Sequence, residues 1–109
     1  MVLNSLRSGY ATLEFEVAQE KASALGRLGR RLEGALAALA ACPQTVNSDR
    51  KIRDGLVEQA AYALWLLVVQ REACGLNDST PVMRNYAVPK EVYVRMGPLS
   101  SQPIKARRG

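Results

Sequence analysis

Residues 69–78, VQREACGLND, gather Arg71, Glu72, Cys74 and Asp78 at the end of an almost wholly apolar run, Ala60 to Val69. A cation, two carboxylates and a thiol are parts from which an acid–base or nucleophilic site can be built. Arg84, six residues beyond Asp78, extends the polar cluster. The same stretch also reads as a helix end. Gly75 sits where the left-handed residue after a helix belongs, and Leu76 where the apolar residue of a Schellman motif belongs. Arg71 falls in the last turn, where a cation meets the negative end of the helix dipole. Asn77 and Asp78 are turn formers. A thiol at a helix C-terminus has its thiolate disfavoured, the reverse of what activates cysteine. The stretch is therefore expected to lock helices together, through an Arg71–Asp78 or a Glu72–Arg84 pair, and not to react.

Composition narrows the chemistry further. The chain of 109 residues has no histidine and two cysteines, Cys42 and Cys74. That removes the commonest general base, the commonest zinc ligand and every Ser–His or Cys–His pair. No combination of acid, base and nucleophile stands out, so the expectation is no enzyme, no catalytic or metal-binding residue and no cofactor. Two cysteines without a disulfide framework fit a reducing compartment, and the cytoplasm is the expected one. The N-terminus, MVLNSLRSGY, lacks the basic-then-apolar pattern of a signal peptide. Ala60–Val69 is half the length of a membrane span, so no membrane is expected.

The formal net charge is +5, and Lys105, Arg107 and Arg108 of the tail contribute three positive charges. Such an excess permits nucleic-acid contact without arguing for it. Residues 27–34, RLGRRLEG, hold three arginines but no aromatic residue, so they make a weak nucleic-acid patch.

These residues need elements to position them. Hydrophobic residues make up 48% of the chain and charged residues 23%, ordinary for one globular domain. From about Gly9 to Ala41, Leu13, Val17, Leu25, Leu28, Leu32, Leu36 and Leu39 recur at helical spacings. Gly26, Gly29 and Gly34 mark a kink or places where another helix comes close. Cys42–Pro43 ends this helix. A second helix is expected from about Asp49 to Cys74. Ile52, Leu56, Ala60, Ala63, Leu67 and Cys74 line one face of it; Ala61, Leu64, Trp65 and Val68 line another. A helix apolar on two faces must be covered from two directions. In such an antiparallel hairpin Cys42 and Cys74 lie roughly 35–40 Å apart, too far to bridge.

Pro81 and Pro89 start two short helices, about 81–86 and 89–96, the second with Glu91 placed to reach back to its own first turn. Together residues 80–97 have the outline of a helix-turn-helix, with Lys90, Glu91, Tyr93 and Arg95 on the reading helix. The plainer expectation is a cap over the hairpin end through Val82, Tyr86, Val88, Val92 and Met96. Residues 1–8 read as a flexible lead and 98–109 as a disordered basic tail.

The fold expected is all-α: a long antiparallel hairpin plus two short C-terminal helices. Two copies are expected to associate into a four-helix bundle. The candidate interface is Leu25, Leu28, Leu32, Leu64, Trp65 and Val68. Glu14, Glu16 and Glu20 of one first helix would lie against Arg27, Arg30 and Arg31 of another.

Two stretches, EKASALGRLGRRLEGALAAL (20–39) and QREACGLND with VMRNYAVPKEVYVRMG (70–97), resemble a small family of uncharacterised bacterial proteins, a domain of unknown function. The resemblance implies a bacterial, cytoplasmic, helical protein and carries over no activity or site residue. The function expected is that of a non-enzymatic interaction or scaffold protein acting as a homo-oligomer. The alternative is a small DNA-binding regulator using 80–97.

Overall fold

The computed structural model describes residues 2–42 and 47–97, with side chains for 8–42 and 50–97. Among the described residues lie four helices: α1 (Val2–Ala41), α2 (Asn47–Ala73), α3 (Thr80–Asn85) and α4 (Lys90–Tyr93). No strand occurs among the described residues. The expected tail and residues 43–46 lie outside them.

The helix α1 begins seven residues before the expected start, so the lead over residues 2–8 is helical. Asn4, Ser5 and Ser8 have only modest helix propensity, but no proline interrupts the segment, and extending an existing helix costs less than starting one. At about 1.5 Å per residue α1 is roughly 60 Å long and α2 roughly 40 Å. The two pack antiparallel, and α1 outruns its partner. Every side chain from Ser8 to Ser23 is exposed. The chain measures 72 × 31 × 20 Å.

The apolar stripe of α1 does what its spacing requires where α2 lies beside it. Leu32 and Leu39 are buried, and Leu25, Leu28, Ala35 and Leu36 pack around them. From α2, Val57, Ala60, Ala61, Ala63, Leu64 and Leu67 join the same core. Ile52 shares the stripe of Leu56 and Ala60, as assigned above, but near the start of α2 it is 60% exposed and takes no part in that core. Trp65 and Val68 are half-buried.

The second cover that α2 needs comes from its own chain. Gly75 at φ +86° reverses the backbone. The Leu76 N–H donates to the Arg71 carbonyl at 2.8 Å and the Gly75 N–H to Glu72 at 3.0 Å, the paired bonds of a Schellman motif. The segment 80–97 then returns along the hairpin toward the turn; it does not sit over one end. Val82, Val88 and Val92 are its buried residues. Tyr86 lies over Gly29 of α1. The helix α4 docks on the first half of α2, where Arg53 pairs with Glu91 and Arg95 lies 3.8 Å from Asp54 and 3.9 Å from Glu58. Glu91 thus reaches across to α2, and not back to its own first turn. These half-exposed pairs are worth at most about 1 kcal/mol each. They orient α4, while burial of Val92 holds it.

A second Schellman motif ends α3. The Val88 N–H donates to Met83 at 3.0 Å and the Ala87 N–H to Arg84 at 3.2 Å. Here the left-handed position is Ala87, at φ +50°. Its Cβ is strained there by about 1 kcal/mol. Ala87→Gly should therefore raise stability by roughly 0.5–1 kcal/mol, a few degrees in the thermal midpoint.

Candidate functional site

The expected polar cluster forms only in part. Arg71 folds over the Schellman turn and donates from Nη2 to the backbone carbonyl of Asp78 at 2.9 Å. The Asp78 carboxylate does not take that donor. Its Oδ1 accepts the Thr80 N–H at 3.0 Å, an Asx turn that opens α3 in place of a hydroxyl cap from Ser79. That hydrogen bond, with the Thr80 hydroxyl and then the Arg71 and Arg84 charges behind it, holds the Asp78 carboxyl below its ordinary value. Glu72 and Arg84 are exposed and form no ion pair among the described residues, so the expected Glu72–Arg84 lock is absent. Each falls on the solvent side of its own helix. Cys74 closes α2 half-buried, with the Gln70 amide 3.8 Å from its sulfur. The cluster ties α2 to α3.

A more open feature lies on the opposite flank of the hairpin. Along α1, Arg30, Arg31, Gly34, Ala35 and Ala38 share a face set apart by helical phase from Gly29, which meets Tyr86. Across the seam, Glu58, Gln59 and Tyr62 of α2 complete a groove of about 580 Å³. Its floor is apolar because Gly34, Ala35 and Ala38 carry almost no side chain. Arg30 and Arg31 make its α1 rim cationic, while the α2 rim carries Glu58, which also faces Arg95. The Arg31 guanidinium lies 5.4 Å from the Tyr62 ring centroid, in cation–π range. Tyr62 in turn stacks on Trp65, centroids 6.0 Å apart at 27°. Such a surface suits an apolar segment that carries acidic residues.

Of the six candidate interface residues, Leu32 and Leu64 are fully enclosed within the chain. That is a correction to the sequence reading: both face the hairpin seam, so no partner can reach them. Leu25, Leu28 and Val68 pack against the same core from its edge. Trp65 is partly accessible through its stack on Tyr62. The accessible apolar surface sits elsewhere, on the N-terminal part of α1, where every side chain from Ser8 to Ser23 is exposed. Tyr10, Leu13, Phe15 and Val17 are 65%, 57%, 63% and 47% exposed. The sequence does show these residues, but not that no described element packs over them.

In the segment 80–97, Glu91 and Arg95 are held by Arg53, Asp54 and Glu58. Lys90 and Tyr93 remain exposed on a helix of four residues. No helix among the described residues is long and apolar enough to cross a membrane. No group of three or more potential metal ligands occurs among them.

No curated protein matches the chain, and no solved structure does. One family matches over residues 2–104, nearly the whole length and every element described above. The chain belongs to this family, DUF6665, a family of unknown function.

Proposed function

We propose that the protein is a non-enzymatic interaction protein that acts as a homo-oligomer in the cytoplasm. One observation carries the reading: the N-terminal part of α1 stands clear of the hairpin with Tyr10, Leu13, Phe15 and Val17 exposed. A lone helix of this length is marginal in water unless its apolar face is covered. Covering it in a partner supplies the missing stabilisation. The alternative, a DNA-binding regulator, has weaker support, since α4 spends Glu91 and Arg95 on contacts with α2. Cys42 and Cys74, both half-buried thiols, suit a reducing setting.

Light scattering at micromolar concentration tests the reading. The expected mass is a multiple of the 11.9 kDa chain. A strictly monomeric protein would remove it. Salt-sensitive binding to random duplex DNA, with no self-association, would favour the alternative.

A further inference from the structure

The outer surface of α1 carries a strip that the hairpin does not use. Positions 9, 13, 16, 20, 23, 27, 31, 34 and 38 succeed one another at spacings of four and three, which places them along one side of the helix. All of them are exposed. In its first half the strip presents Leu13, Glu16 and Glu20. In its second half it presents Arg27, Arg31, Gly34 and Ala38.

Reversed and laid on itself, the strip is self-complementary. A single antiparallel register, centred between Ser23 and Ala24, puts Glu20 opposite Arg27 and Glu16 opposite Arg31. The same register puts Leu13 opposite Gly34 and Gly9 opposite Ala38. Each acid meets a base, and the large apolar residue meets a glycine. Among the described residues nothing explains why residue 34 lacks a side chain, because a Cβ there would meet no atom within 4 Å. A leucine from a second helix would use that space. Glu20 and Arg27 already approach along their own helix at 3.4 Å, both largely exposed, so they are available to turn outward.

We infer that two copies of the chain pair antiparallel through this outer strip of α1, about a two-fold axis passing between Ser23 and Ala24, each overhang lying over the other's α1–α2 groove. The pairing rests on the self-association proposed above and specifies its geometry; of the exposed apolar residues named there, the strip itself takes in Leu13. An antiparallel pair with facing residues exchanged is a closed, isologous contact, which ends at two copies. It overlaps residues 9–38 of each α1, about 45 Å of helix. It covers the cationic rim at Arg31 with Glu16, and it brings Leu13 to the apolar floor at Gly34. Glu14, grouped by sequence with Glu16 and Glu20, lies off the strip and takes no part.

Charge reversal tests the register. One variant carries Glu16→Arg with Glu20→Arg; the other carries Arg27→Glu with Arg31→Glu. Alone, each places like charges opposite one another at four points of the two-fold pair. Self-association should weaken at least about a hundredfold. Mixed, the two variants restore opposite charges at every point and should form a one-to-one heterodimer as tight as the wild-type pair. Far-UV circular dichroism on each variant reports that the helices persist. Gly34→Trp, in open space within one chain, gives a second check: it should abolish pairing and leave the hairpin intact. If the wild-type chain is a monomer, self-association itself is refuted. If the wild type pairs but the reversed variants pair equally well, or their mixture fails to form a heterodimer, only this arrangement is overturned.

Discussion

Replacing Leu64 by alanine should destabilise the fold by about 3 kcal/mol and lower the thermal midpoint by more than roughly 10 °C. Leu64 is fully enclosed and is among the largest side chains that are. Its removal loses transfer free energy and leaves a cavity that rigid neighbouring helices cannot collapse. The core has little redundancy: beyond Leu64 and Leu32 its fully enclosed large side chains are Val57 and Val92. A domain of this size commonly has 5–15 kcal/mol in total, so one such change removes a large share. Ile52→Ala is the matched comparison. Ile52 lies in the same helix but is 60% exposed, and its truncation should move stability by less than about 0.5 kcal/mol. Equal losses in urea unfolding would show that the burial pattern of α2 is wrong.

The second large effect is expected at Gly29. The Tyr86 hydroxyl occupies the place where a Cβ would stand, with its ring carbon 3.5 Å away. A leucine at this position must displace the Tyr86 ring, and its bulk is expected to loosen the segment that carries Val82, Val88 and Val92 against the hairpin. Leucine gains close to 1 kcal/mol in helix propensity over glycine. Overpacking and the exposure of three valines should outweigh that gain, for a net loss of about 2 kcal/mol. Gly34→Ala, five residues on in the same helix, should instead stabilise the isolated chain by up to about 1 kcal/mol, since it meets open space. Hydrogen exchange would show the local effect: amides of α3 and α4 should lose protection in Gly29→Leu and keep it in Gly34→Ala. Protection unchanged in both would mean that Tyr86 does not hold the returning segment.

The contrast between these glycines marks what the sequence could reveal. Periodicity identified both long helices, because Leu25, Leu28, Leu32, Leu36 and Leu39 can share one face in no other regular structure. The stop at Gly75 was legible since only glycine reaches the left-handed geometry without strain there. The two faces of α2 correctly required two covers. What supplies the second cover was not legible: a second copy and the C-terminal helices were both open, and the chain's own residues 80–97 serve. Local signals locate Pro81 and Pro89 as helix starts but say nothing of the direction in which the segment travels. The same gap explains the interface residues. Leu32 and Leu64 are apolar on a helical face, and a sequence pattern cannot separate a seam within one chain from a seam between two. Gly29 and Gly34 look alike until Tyr86 is found over one of them.

The overhang also governs how the protein moves through solvent. A compact chain of this length has a radius of gyration near 13 Å; here it is 19.0 Å. Viscous drag follows the long dimension of such a rod, so a single copy will diffuse as a heavier particle would and emerge early from a sizing column. Antiparallel pairing centred near residue 23 would fold each rod alongside its mate, adding mass without adding proportionate length, and the frictional ratio should fall as the protein assembles.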